Sequence, residues 1–229
     1  MKFITSLLLF IGLIGFLLLT TSCPKCDDSD CIDIEIGIAK LNDSSSMWIP
    51  FNSYDTVNFI NSNGFHAQFF SSGYQYASFK ALYRDYDYNC GDPMEACWEY
   101  YTIPVKYLKF NSESINLTLQ YEIRKNLSYD NNFLPNNINP DTLSDVLILN
   151  INGYLRVIPI QSDKNNTGIE CTTEIIDSLN LNNVTYYNVY HSYRNIITTD
   201  IQIKGIYFTL DKGIIGFYYT NDEKWYLSQ

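Results

Sequence analysis

Ile32, Ile34, Ile36 and Ile38 alternate with Asp33, Glu35 and Gly37. This period of two predicts a half-buried strand, because successive side chains of an extended backbone point to opposite faces. Ile115, Leu117, Leu119, Tyr121 and Ile123 repeat the signal against Asn116, Thr118, Gln120 and Glu122. An amphipathic helix needs apolar residues at combined three- and four-residue spacing, and both segments lack the three-residue steps. Apolar runs at 146–151 and 154–160 flank Asn152-Gly153, a pair suited to the positive φ angles of a type I′ hairpin turn. Residues 201–210 and 214–219 flank Asp211-Lys212-Gly213, which predicts a three-residue turn with glycine in the left-handed position. Asn221-Asp222-Glu223 then precedes a last strand at 225–227, and further strands are expected at 56–60, 65–70, 75–82, 98–110 and 184–193.

Turn signals about every ten residues, with Tyr, Ile, Phe and Val between them, predict an antiparallel all-β fold. The architecture expected is a sheet, sandwich or partial barrel of many short strands. The Asn-rich stretch 130–141, with Pro135 and Pro140, reads as a long loop. Strands on its two sides look alike, so residues 32–229 are expected to form one domain. No repeat of fixed period is visible.

The N-terminus follows a different grammar. Lys2 precedes an apolar run from Phe3 to Leu19, then Thr20-Thr21-Ser22 and Cys23. A cation, an apolar stretch and small residues before a cleavage point make a secretory signal. A spanning anchor is the alternative, but no Lys/Arg cluster flanks the run, which is short for a bilayer. The stretch Leu19-Thr20-Thr21-Ser22-Cys23 resembles a bacterial lipobox, with Thr20 where Leu is usual, and so resembles Bacteroidota-type lipoproteins. The resemblance implies a signal peptide at 1–22, acylation of Cys23 and an acidic tether at 23–31. Lys25-Cys26-Asp27-Asp28-Ser29-Asp30 is similar to the surface-export signal of that group. Each buried CH₂ of an acyl chain contributes about 0.8 kcal/mol, so multiple chains on Cys23 would anchor the protein to the outer membrane without a spanning helix. Tyr187-Asn188-Val189-Tyr190, Gly205-Ile206-Tyr207, Lys212-Gly213-Ile214-Ile215-Gly216-Phe217 and Trp225-Tyr226-Leu227 resemble the ending of uncharacterised members of the group. That resemblance implies a Gly-rich hairpin closed by a Trp strand and carries no activity.

Fifteen Lys and Arg against twenty-five Asp and Glu give a net charge of −10. This balance excludes nucleic acid as a partner, since affinity there comes from neutralising phosphates with cations. Once Cys23 is acylated, Cys26, Cys31, Cys90, Cys97 and Cys171 remain for an oxidising compartment. Gly91-Asp92-Pro93 lies between Cys90 and Cys97, and a bridge closing so short a loop would contribute roughly 2–3 kcal/mol. Cys26 and Cys31 are a second candidate pair, which leaves Cys171 over. Among those five cysteines no CxxC spacing supports zinc.

Asp85, Asp87 and Asn89 place oxygens at the first, third and fifth positions of a candidate calcium loop. Cys90 stands where its turn glycine belongs and Ala96 where a bidentate Glu would close it, so a solvated loop is the stronger reading. Twenty tyrosines invite a carbohydrate reading, and Tyr83, Tyr86, Tyr88 and Trp98 form the best cluster; tyrosine is also favoured in strands for cross-strand packing. Asp55-Thr56-Val57, Asp141-Thr142-Leu143 and Asp177-Ser178-Leu179 resemble the O-glycosylation motif of Bacteroidota-type proteins. No HExxH, GxSxG, Walker A or dinucleotide fingerprint is present, and His66 and His191 read as hydrogen-bonded sheet residues. No catalytic residue, cofactor or metal is assigned. The function expected is that of a surface-anchored, non-catalytic binding module with a glycan or protein partner. A glycan-acting hydrolase and a structural accessory of an envelope complex are the alternatives.

Overall fold

The computed structural model describes residues 33–87, 97–127, 134, 138–159, 172–194 and 200–228. The signal segment, Cys23, the acidic tether and Tyr88, Asn89, Cys90 and Cys171 lie outside the described residues. Among the described residues twelve strands follow in chain order: β1 (Ile34–Ile38), β2 (Thr56–Asn61), β3 (His66–Asp87), β4 (Cys97–Ser112), β5 (Leu117–Lys125), β6 (Asp145–Ile151), β7 (Tyr154–Pro159), β8 (Thr172–Leu181), β9 (Val184–Tyr193), β10 (Ile203–Thr209), β11 (Gly213–Tyr219) and β12 (Lys224–Leu227). Short 3₁₀ turns at Asp43–Trp48 and Pro140–Thr142 are the helical elements among the described residues. None is long and apolar enough to cross a membrane.

Eleven strands form one antiparallel sheet in the order β7-β6-β5-β4-β3-β2-β12-β11-β10-β9-β8, curled into a nearly closed barrel. The expected all-β antiparallel class holds. β12 is inserted between β11 and β2, so the last strand joins the two halves of the chain through backbone hydrogen bonds. The alternation of β5 puts Leu117, Leu119, Tyr121 and Ile123 inside, where they meet Phe59, Phe69, Phe110, Leu147, Leu149, Ile214 and Phe217. At the seam, where β7 and β8 leave the ladder open, the Tyr154 hydroxyl donates to the Lys204 carbonyl of β10 at 2.7 Å.

The predicted hairpins form. Asn152 and Gly153 take φ of 45° and 87° between β6 and β7, and Gly213 takes φ of 72° at the end of the β10–β11 turn. Other expectations are corrected. Segments 65–70 and 75–82 are one 22-residue strand, β3, because a bulge between Ser71 and Tyr74, with Gly73 at φ 90°, bends the ladder without ending it. β3 and the 16-residue β4 are therefore long. They outrun their neighbours and build a second small core of Ala81, Ile103, Leu127 and Leu134. β1 pairs in parallel with the first half of β4, where β5 does not reach. Ile34, Ile36 and Ile38 are 46%, 37% and 62% exposed there, so their alternation does not mark a buried face among the described residues.

Candidate functional site

Most residues marked by the sequence do not converge on a site. Tyr83 is half-buried and meets the Tyr101 ring edge-on at 5.7 Å, beside the second core; its ring packs the long hairpin. Trp98 is half-buried at the start of β4, and its backbone N–H donates to the Asp33 carboxylate at 3.2 Å. Tyr86 sits in β3, while Tyr88 lies outside the described residues. Asp85 and Asp87 are in extended ladder positions opposite Trp98 and Cys97. Among the described residues no group of three metal-ligating side chains occurs. Cys97 is buried, and its expected partner Cys90 lies outside the described residues. Thr56, Thr142 and Ser178 are all exposed.

Among the described residues, a polar cluster of catalytic type lies on β8–β11. Glu174, His191 and Tyr207 face one another across β8, β9 and β10. His191 Nδ1 lies 2.9 Å from Glu174 Oε1, and its Nε2 lies 3.0 Å from the Tyr218 hydroxyl. With Nδ1–H donating to the carboxylate, Nε2 accepts from Tyr218. The imidazole is stacked between Tyr193 at 4.7 Å and Tyr207 at 4.5 Å. Burial raises the Tyr207 and Tyr218 phenols above their ordinary value. A general base needs a nitrogen within reach of substrate, and both nitrogens here are engaged within the sheet.

A more open arrangement lies at one rim of the barrel. A cleft of about 570 Å³ is lined by Pro50 and Phe51, by Thr56, Val57 and Asn58 of β2, by Tyr186 of β9, by Asp211 and Lys212 of the β10–β11 turn, and by Leu227 and Ser228. Five separate segments converge because β12 lies between β11 and β2, which brings residues 227–228 and the β10–β11 turn to the same cleft. Phe51 is rigidly held: its ring meets Phe110 at 5.0 Å and Tyr121 at 5.3 Å, and its carbonyl accepts from the Tyr74 hydroxyl at 2.6 Å. Gly213 makes room for it, since a Cβ there would come within 2.7 Å of the Phe51 ring. Burial, and then the Asp211 carboxylate, push the Tyr186 phenol upward, so it stays a neutral donor. The cleft thus combines an apolar floor with donors and acceptors at its edge, and its cation and carboxylate balance.

Sequence reading missed this convergence. Asp211-Lys212-Gly213 was legible as a turn and Tyr186-Tyr187 as a pair facing opposite sides. Their meeting with residues 50–58 depends on the strand order alone. No family model matches this chain, and no curated protein or solved structure does either.

Proposed function

We propose that this chain is a non-catalytic binding module, held at the outer-membrane surface through lipidated Cys23, whose rim cleft takes a neutral, hydroxyl-rich ligand such as a glycan. The observation that carries the reading is the cleft itself: a locked Phe51 ring below Asn58, Tyr186, Asp211 and Lys212. An apolar floor with a few placed polar groups is what small-ligand sites use. Asp211 and Lys212 offset one another, which favours an uncharged polar ligand over an ion. Asp211 is the one carboxylate among the described lining residues, whereas glycoside hydrolysis needs two flanking the bond. That favours binding over hydrolysis. The tether at 23–31 and the lipobox resemblance support the surface location, and the expected Cys90–Cys97 bridge suits an exported chain.

The test is a glycan-array screen of the full chain followed by calorimetric titration of the neutral oligosaccharides retained. Tyr186→Phe and Asp211→Ala are expected to weaken binding while leaving the thermal melt in place, because Asp211 is exposed and Tyr186→Phe keeps the ring. Retention of no neutral glycan, or binding indifferent to both substitutions, would remove the support for this cleft.

A further inference from the structure

A second cavity, at the seam of the barrel, differs from the rim cleft in its charge. It measures about 330 Å³ and is lined by the β6–β7 turn, Tyr154, Arg194, Gln202, Ile203 and Tyr219, among others. Among the described lining residues there is no Asp or Glu. In a chain with twenty-five Asp and Glu residues, two of the described arginines have acidic partners, Arg84 with Glu99 at 2.6 Å and Arg124 with Glu122 at 3.2 Å. Arg194 pairs with none among the described residues, and its buried Nε has no hydrogen-bond acceptor.

The guanidinium is nevertheless held in place. The Arg194 main-chain N–H donates to the Lys204 carbonyl at 2.9 Å, and the central carbon of its guanidinium sits 4.8 Å from the centre of the Tyr154 ring. That ring is fixed by its own hydrogen bond to Lys204 and by Arg156 on its face at 3.5 Å. An arginine that is positioned by an aromatic ring and lacks a counter-charge is preorganised for one. Burial pushes the Tyr219 phenol up to about 12, so it remains a neutral donor in the same cavity.

We propose that the seam cavity binds the carboxylate of a small monoanionic ligand, with Arg194 as the pairing group and Tyr154 as its support. A planar carboxylate matches the fork of a guanidinium through two parallel N–H···O bonds. A phosphate monoester carries nearly two charges, which one guanidinium does not balance. The volume sits at the lower end for small-ligand sites, which fits a compact body such as a uronic acid. This site is independent of the rim cleft.

The full chain is titrated by calorimetry with acetate and with D-glucuronate, with D-glucose as the neutral control. Glucuronate is expected to bind, more weakly as salt is raised, and glucose to leave this cavity empty. Arg194→Gln is expected to lower glucuronate affinity about tenfold or more through loss of the charged pair. Gln202→Glu, at an exposed position, places a negative charge at the mouth without disturbing the core, and is expected to lower affinity likewise. It decides the matter if Arg194→Gln fails to fold. Absence of carboxylate binding to the unmodified chain would overturn the proposal. So would glucuronate binding that survives Gln202→Glu, or that survives Arg194→Gln yet is lost in Asp211→Ala, which would put the ligand in the rim cleft.

Discussion

Tyr218 lies across Gly205 of the neighbouring strand, its ring occupying the space where any other residue would carry a Cβ. The reverse pairing sits two positions along, where Tyr207 faces Gly216 on the same two strands. Each ring covers a glycine on the partner strand and restores the packing that a glycine in a sheet forfeits. The same arrangement brings the Tyr218 hydroxyl to His191. Gly205→Ala is expected to destabilise the fold by about 1–3 kcal/mol, the usual range for overpacking. Tyr218→Ala removes the obstruction, so the double variant should lose less than the sum of the two single losses in urea denaturation. Strict additivity would show that the ring and the glycine do not depend on one another.

A second constraint is electrostatic. Lys125 Nζ and Asp145 Oδ1 lie 2.9 Å apart with both side chains fully buried. The other oxygen of Asp145 accepts from the Asn42 N–H at 2.7 Å and the Ser45 hydroxyl at 2.5 Å. One carboxylate thereby fastens the first 3₁₀ turn to β5 and β6. Asp145→Ala leaves an uncompensated buried ammonium, and an expected loss of about 3–5 kcal/mol. Replacing the pair by Lys125→Met with Asp145→Leu should cost less than Asp145→Ala alone, measured by the same denaturation.

Alkaline pH should unfold this protein through its tyrosines. Burial raises the phenols of Tyr121 and Tyr218 and brings Tyr219 up to about 12, while unfolded phenols titrate near about 10. The native state therefore holds protons that the unfolded state releases, and stability falls as pH rises above the unfolded value. Below that value the contribution is complete. Melting temperatures are expected to hold steady up to mildly alkaline pH and to drop beyond the ordinary phenol range. Tyr121→Phe should flatten the drop. A melt that did not depend on pH through this range would contradict the burial of these rings.

The tether yields a prediction about location. Replacing Asp27, Asp28 and Asp30 by Ala removes three negative charges and leaves Cys23 untouched. If Cys23 is acylated as proposed, anchoring comes from the acyl chains, so membrane association should persist while protease accessibility on intact cells falls. Unchanged accessibility would reduce the acidic run to a solvated spacer.

Cys97 stands at the start of β4, opposite Asp87 at the end of β3, where the chain between the two strands leaves from and returns to one end of the ladder. Pairing with Cys90 would close that return. Mass spectrometry of unreduced peptides should recover the two cysteines linked. Recovery of both as free thiols would sink this pairing.

What was legible in the chain was short in range. Asn152-Gly153 specified a turn because few residues accept two successive positive φ angles, and the alternation of β5 named its buried face because side chains of a strand repeat every two residues. β8 escaped notice, although Asn182-Asn183, at φ of 48° and 66°, is the same kind of turn signal. The alternation of Ile34, Ile36 and Ile38 marked a strand correctly and its burial wrongly, since period two reports extended backbone and says nothing of what covers it. Neither cavity had a signature of its own. Phe51, Tyr186 and Asp211 become neighbours only because β12 crosses to β2, and Arg194 meets no carboxylate among the described residues because of where the barrel seam places it. The sequence by itself determined most of the strands, the hairpin turns and the all-β class, through backbone preferences that act over a few residues. Strand order, barrel closure and both candidate sites were decided by the tertiary structure, because they rest on pairings between residues far apart in the chain.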